Sequence, residues 1–116
     1  MICGFIVLTV LPVDGGEALK LAVSPVQSFA PATMRIRVRI EPSAENRVLA
    51  IVADGTDFYR KSEVQLEGDQ APRTVELRFS NLPGGEYEIH AALIDSLGHQ
   101  RAIAHQPVTV ISIDGD

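Results

Sequence analysis

The clearest strand pattern in this chain is the segment Met34-Arg35-Ile36-Arg37-Val38-Arg39-Ile40. Apolar and charged side chains alternate along it without a break, and successive side chains of a β-strand point to opposite faces of a sheet. One face of this strand is therefore expected to be buried and the other to be in contact with water. Pro42 and Ser43 follow and end the strand.

The same two-residue period recurs on both sides of this stretch. Further predicted strands cover residues 19–23, 48–53, 58–66, 74–79, 87–93 and 101–113. Turn-forming pairs such as Asp54-Gly55 and Gly68-Asp69 separate them, and no window of useful length has the spacing of an amphipathic helix. Strands with one apolar face bury it most simply between two stacked sheets, so the sequence predicts an all-β, two-layer sandwich.

The composition suits one folded domain and argues against several functions. The chain has 116 residues, of which 46% are hydrophobic and 22% charged. Fifteen acidic against ten basic residues give a net charge of −5, which opposes non-specific binding to nucleic acid. The single cysteine, Cys3, excludes an internal disulfide. The absence of tryptophan and an aromatic content of 5% argue against a platform for stacking bases or sugars.

The first eighteen residues differ from the rest. Residues 2–13 are nearly all apolar, too few to cross a bilayer but of the length found in the core of a signal peptide. Gly16 and Ala18 fit a cleavage site after Ala18, although no basic residue precedes the apolar run. We therefore expect a signal peptide at 1–18, a domain at 19–113, a tail at 114–116, and export to the periplasm or the exterior. The alternative is an extra N-terminal strand on a cytoplasmic protein.

A short segment carries a resemblance to known domains. Leu82, Pro83 and Gly84 are followed by Tyr87, which resembles the corner before the sixth strand of fibronectin-III-like and bacterial immunoglobulin-like domains. The resemblance implies an immunoglobulin-like antiparallel two-sheet sandwich of about seven strands. It also implies that the Tyr87 hydroxyl binds the backbone of the corner. The core tryptophan and the cysteine pair found in many such domains are absent.

The sequence offers few residues for chemistry. His90 and His105 could face each other across a hairpin, with His99 at the turn, and are weak candidates for a copper or zinc site. Asp54, Asp57 and Asp69 lie in predicted loops but lack the spacing of a calcium motif. No catalytic motif is present. We therefore expect no catalytic residue, no cofactor and no enzymatic activity.

Three arginines share the predicted solvent-exposed face of their strand: Arg35, Arg37 and Arg39. They could form a basic stripe for an anionic partner. The alternative, which the acidic composition favours, is cross-strand pairing with Glu76.

The apolar run Val48–Ala53 leaves neither face of its strand polar. We expect part of it to form an interface with a second copy, with a partner protein or with the N-terminal strand. The residues assigned to this interface are Leu49, Ile51, Ala53, Ala92 and Ile94. The predicted function is a non-catalytic exported module of the immunoglobulin-like kind, with a protein-binding or structural role and no stable membrane span. The alternatives are a periplasmic metal-handling sandwich protein and a cytosolic structural domain.

Overall fold

The computed structural model describes residues 18–112. Eight strands account for most of this range, and the one short 3-10 turn within it covers Gly68–Gln70. The strands are β1 (Leu19–Ser24), β2 (Gln27–Phe29), β3 (Ala32–Ile40), β4 (Val48–Gly55), β5 (Tyr59–Gln65), β6 (Thr74–Leu82), β7 (Gly85–Ile94) and β8 (Gln100–Ile111). The prediction of an all-β chain is confirmed.

The strands form two sheets, as predicted. One has three strands in the order β1-β3-β6, and the other has five in the order β2-β8-β7-β4-β5. The pairings are antiparallel except that of β2 with β8, which is parallel. The short strand β2 was not predicted, because three residues are too few to show a period.

The alternation of β3 sorts its side chains as the sequence predicts. Met34, Ile36 and Val38 are fully buried, and the arginine that follows each of them is exposed. The buried side chains belong to one core that also contains Leu49 and Ile51 of β4. β3 therefore presents one face to the core and a charged face to water.

The apolar strand β4 corrects the predicted interface. Leu49, Ile51 and Ala53 are fully buried in the core and cannot belong to a surface. Val48, Ala50 and Val52 lie on the opposite face of β4, outside the core cluster, and a continuous apolar run could not distinguish them from their neighbours. Ala92 and Ile94 do lie on this outer face, in register with Ala50 and Val48, so an interface there stays a prediction for these two alone.

The corner between β6 and β7 contains the predicted contact. The Tyr87 hydroxyl donates a hydrogen bond of 2.6 Å to the Pro83 carbonyl oxygen. Asn81 has a φ of 61° and Gly85 a φ of 152°, which lets the chain reverse within a few residues. The corner fixes where β6 ends, and before it Thr74–Phe79 pair with β3, as does Leu82 after a register shift.

Several predictions fall on residues that the structure does not describe. The signal peptide or alternative N-terminal strand at 1–18 lies outside the described residues except for Ala18, and the tail at 114–116 lies wholly outside them. Between Ala18 and Ser112, no helix is long and apolar enough to cross a membrane.

Candidate functional site

The outer face of the three-stranded sheet is basic. The cations on it are Lys20 of β1, Arg35, Arg37 and Arg39 of β3, and Arg78 of β6, and Arg73 stands at its edge just before β6. All six are exposed, and they are six of the ten Lys and Arg residues of the chain. We call these six residues the basic face. The alternation of β3 predicts that its three arginines share a face, but the position of the other three cations depends on how the strands pair.

The register of the strands places like charges opposite each other. Lys20 lies directly across from Arg39, and Arg35 directly across from Arg78. Like charges in directly opposed positions destabilise a sheet, and such pairs change stability by roughly 0.2–1 kcal/mol. A face built only for stability or solubility would mix the two signs of charge. The arrangement therefore favours a role in binding negative charge.

Glu76 is the one acidic residue within β1, β3 and β6. It lies opposite Arg37, and its carboxylate accepts a hydrogen bond of 2.6 Å from Arg37 Nε and lies 2.6 Å from Nη2. The predicted pairing with Glu76 is thus present for one arginine of the three. Within the described part of the chain, no carboxylate lies within 4 Å of any other member of the basic face.

Two clefts lie at opposite ends of the basic face. The first, the end cleft, has a volume of about 300 Å³ and is lined by Lys20, Arg39, Ile40, Glu41, Pro42 and Arg73. The second, the far cleft, has a volume of about 520 Å³ and is lined by Arg35, Glu76, Leu77 and Arg78. Each cleft can admit a small group, and cations line both.

Acidic residues gather on the other side of the molecule. The outer face of the five-stranded sheet carries Asp54, Glu63, Glu86 and Glu88 at exposed positions. Lys61 on the same face pairs with Glu63 at 3.2 Å. The net charge of −5 is therefore distributed unevenly, and it conceals a face of the opposite sign.

The histidines do not form a metal site with a third ligand. His90 and His105 are cross-strand partners with ring centroids 5.8 Å apart, and His105 Nδ1 lies 3.4 Å from a Glu88 carboxylate oxygen. His99 lies apart from them in the β7–β8 turn. Across the residues that the structure describes, no three His, Cys, Asp or Glu side chains are grouped to hold a metal ion.

The three loop aspartates considered for calcium also lie apart. Asp54 and Asp57 are in the β4–β5 hairpin, whereas Asp69 is in the 3-10 turn beyond the far end of β5. The seven residues of β5 separate the two places, a distance of about 20 Å. A calcium ion needs its oxygen ligands within about 2.6 Å, so these three residues cannot share one.

Two groups with shifted pKa values lie away from the basic face. Backbone N–H groups of His99 and Leu97 donate to Asp95 Oδ1 at 2.8 and 2.9 Å and hold the pKa of this carboxyl below its usual value. Burial raises the pKa of the Tyr87 phenol, and the charge of Arg60 offsets part of that rise. Both groups hold turns together, and Asp95 Oδ2 lies 3.8 Å from Nδ1 of His99 in the same turn.

Comparison with known proteins yields matches among solved structures. No protein-family model and no curated protein sequence matches the chain. A superoxide reductase (neelaredoxin) from Ignicoccus hospitalis matches with a TM-score of 0.63 and 16% identity over 81% of this chain and 80% of that one. A variant of that reductase matches with a TM-score of 0.58 and 13% identity, over 83% and 80% of the two chains. The chain shares its fold with these superoxide reductases.

These matches correct the family and function predicted from sequence. The assignment to fibronectin-III-like and bacterial immunoglobulin-like domains is wrong, because the structures found are superoxide reductases. The prediction of a non-catalytic module that is not an enzyme is overturned on the same ground, since both matched proteins are enzymes by name. The metal-handling and cytosolic alternatives explain the matches no better. At 13–16% identity, the likeness shows the fold and leaves the activity open.

The described residues do not fit a redox metal centre of the kind that reduction of superoxide calls for. Such a centre needs several nitrogen, sulfur or oxygen ligands converging on one ion. The two neighbouring histidines have only Glu88 beside them, and Ala18–Ser112 contains no cysteine. We therefore derive no reaction step through a metal.

Proposed function

We propose that the protein binds a short acidic segment of another polypeptide through the basic face. One observation carries this proposal: five cations share the outer face of one sheet with a single carboxylate, and four of them stand in like-charge pairs. An acidic partner would relieve the repulsion within each pair. Binding would therefore be coupled to the release of an unfavourable interaction already present in the free protein.

The dimensions of the face favour an extended peptide. Alternate residues of a strand are about 6.8 Å apart, so Arg35, Arg37 and Arg39 present charge at that interval over about 14 Å. A partner in extended conformation presents alternate side chains at the same interval. A long, stiff polyanion such as a nucleic acid duplex would extend beyond this short face and meet the acidic remainder of the surface.

The proposal is tested with a labelled peptide in which Glu alternates with Ser, measured by fluorescence anisotropy. We expect saturable binding that weakens as salt rises from 50 to 200 mM, because exposed charges are screened over about 10 Å. A peptide with Gln in place of each Glu serves as the control for charge. Equal binding of both peptides would contradict the proposal.

Matched variants locate the binding surface. The double change Arg35→Gln and Arg78→Gln is expected to weaken binding by roughly two- to thirtyfold, since each exposed ion pair contributes about 0.2–1 kcal/mol. Lys61→Gln also removes a cation, but from the opposite sheet, and is expected to leave the affinity unchanged. If Lys61→Gln weakens binding as much as Arg78→Gln alone, general charge attraction rather than the basic face accounts for the binding.

Export is a separate proposal. Its support is the apolar run at residues 2–13, followed by the small residues Gly16 and Ala18. N-terminal sequencing of the protein isolated from its native host tests it: a mature chain that starts at Leu19 supports export, and a chain that retains residues 1–18 contradicts it.

A further inference from the structure

The two clefts of the basic face differ in the charge that lines them. Lys20, Arg39 and Arg73 line the end cleft with one carboxylate, Glu41, so the lining carries a net charge of two positive units. Two cations, Arg35 and Arg78, line the far cleft, and the carboxylate of Glu76 there is already paired with Arg37. The end cleft therefore gathers three cations against the two of the far cleft, and it suits a group with two negative charges.

The end cleft draws its cations from three separate segments of the chain. Lys20 comes from β1, Arg39 from β3, and Arg73 from the connection that leads into β6. The backbone around them is tied together, because the Ile40 N–H donates to the Arg73 carbonyl oxygen at 2.7 Å and the Glu41 N–H donates to the Ala18 carbonyl oxygen at 3.0 Å. The three side chains thus start from fixed points around one concavity. A tetrahedral anion offers oxygens in several directions and can bind cations that approach from different sides.

The rest of the lining restricts the ligand further. Ile40 and Pro42 complete the lining that residues 18–112 provide, and no aromatic side chain from this range belongs to it. A nucleotide base would find no surface on which to stack. A volume of about 300 Å³ is at the small end for ligand pockets, and it suits an anionic group better than a whole cofactor.

We propose that the end cleft binds a tetrahedral dianion of the phosphate type. This inference rests on the proposed function, since such a group is expected on the acidic segment that the basic face binds, for example as a phosphorylated side chain. Free phosphate has the same chemistry, and the experiment below distinguishes the two sources.

Titration with inorganic phosphate, followed by ¹H–¹⁵N NMR, tests the site directly. We expect saturable shifts of the amide signals of Lys20, Ile40, Glu41 and Arg73, and none with chloride at the same ionic strength. Arg73→Gln is expected to weaken phosphate binding by up to about fivefold, whereas Arg78→Gln, which removes the same charge at the far cleft, changes it little. Arg73 is exposed, and only its carbonyl oxygen takes part in the backbone bonds above, so this variant is expected to fold.

A second experiment, with peptides, identifies the source of the dianion. An acidic peptide with one phosphoserine is compared with the same peptide carrying Glu at that position. Tighter binding of the phosphopeptide that disappears in Arg73→Gln supports a phosphorylated partner. Equal binding of the two peptides, together with phosphate saturation at the end cleft, supports the site with free phosphate as its ligand.

Two results would overturn the inference: shifts that do not saturate, and shifts that Arg73→Gln and Arg78→Gln reduce equally. The two proposals fail separately. Loss of peptide binding with phosphate binding intact removes the proposed function and leaves the dianion site. Peptide binding without saturable phosphate binding at the end cleft removes the dianion site and leaves the proposed function.

Discussion

At the scale of single residues, the most informative pair is Arg35 and Arg78. They belong to neighbouring strands, lie directly opposite each other and have no carboxylate within 4 Å in the described chain. Their mutual repulsion lowers the stability of the free protein. A residue retained at a cost to stability is better explained by binding than by folding.

Arg78→Glu separates these two roles. The new carboxylate would face Arg35, so we expect the free energy of unfolding to rise by up to about 1 kcal/mol. The same change removes a cation from the basic face, so we expect affinity for the acidic peptide to fall. Urea denaturation and peptide anisotropy on the same sample measure the two effects.

The matched control for this change is Lys61→Glu. It alters the charge by the same amount but breaks the 3.2 Å pair with Glu63, so no stabilisation is expected. A loss of stability in Arg78→Glu would show that the opposed arginines do not repel each other as the account requires.

Tyr87 is a residue whose role is structural. Its hydroxyl bond to the Pro83 carbonyl oxygen closes the β6–β7 corner, and Tyr87→Phe is expected to cost about 0.5–1.5 kcal/mol in urea denaturation. Tyr59→Phe is the control, because the Tyr59 side chain is 60% exposed. Equal stabilities of Tyr87→Phe and Tyr59→Phe would contradict this role.

Burial raises the pKa of Tyr87 in the folded state. The contribution of its protonated phenol to the free energy of unfolding is therefore complete below the ordinary value of 10.0 and is lost as pH rises through the raised pKa.

At the scale of elements, the β7–β8 turn depends on Asp95. Its carboxylate accepts backbone hydrogen bonds from Leu97 and His99, which lowers its pKa in the folded state. Its stabilising effect is therefore complete above the ordinary value of 3.8 and is lost as pH falls through the lowered pKa.

Asp95→Asn tests this turn, because the amide keeps an oxygen acceptor and removes the charge. We expect the variant to be less stable than the wild type at neutral pH, and the difference to shrink as pH falls below about 4. Thermal denaturation from pH 2 to pH 7 measures it, with Asp57→Asn in an exposed turn as the control. A difference that does not change with pH would show that the charge of Asp95 plays no part.

The elements show what the sequence could and could not predict. β3 was predicted correctly because its alternation distinguishes a buried face from a wet one within seven residues. The inward face of β4 was not predictable, since Leu49, Ala50 and Ile51 are all apolar and carry no sign of direction. The place of Arg78 in the basic face was not predictable for another reason. Arg78 visibly alternates with apolar neighbours, but the register that places it opposite Arg35 depends on how two distant strands meet.

At the scale of the whole molecule, the uneven distribution of charge is the main finding. A net charge of −5 favours repulsion of anions at long range, and the basic face reverses this at short range. We expect such a surface to favour a partner that is short, acidic and able to approach one face. The fold is shared with superoxide reductases, whereas the proposed binding of an acidic segment depends on the side chains on the outer face of the three-stranded sheet.

The most direct test of this account is a map of where the acidic peptide binds. The alternating Glu–Ser peptide is titrated into ¹⁵N-labelled protein, and the amide shifts are assigned to strands. If the peptide binds the basic face, we expect the shifts to concentrate on β1, β3 and β6. We also expect them to vanish when Arg35 and Arg78 are both replaced by Gln. Shifts concentrated on β4, β7 and β8, or no saturable shift at low salt, would contradict it.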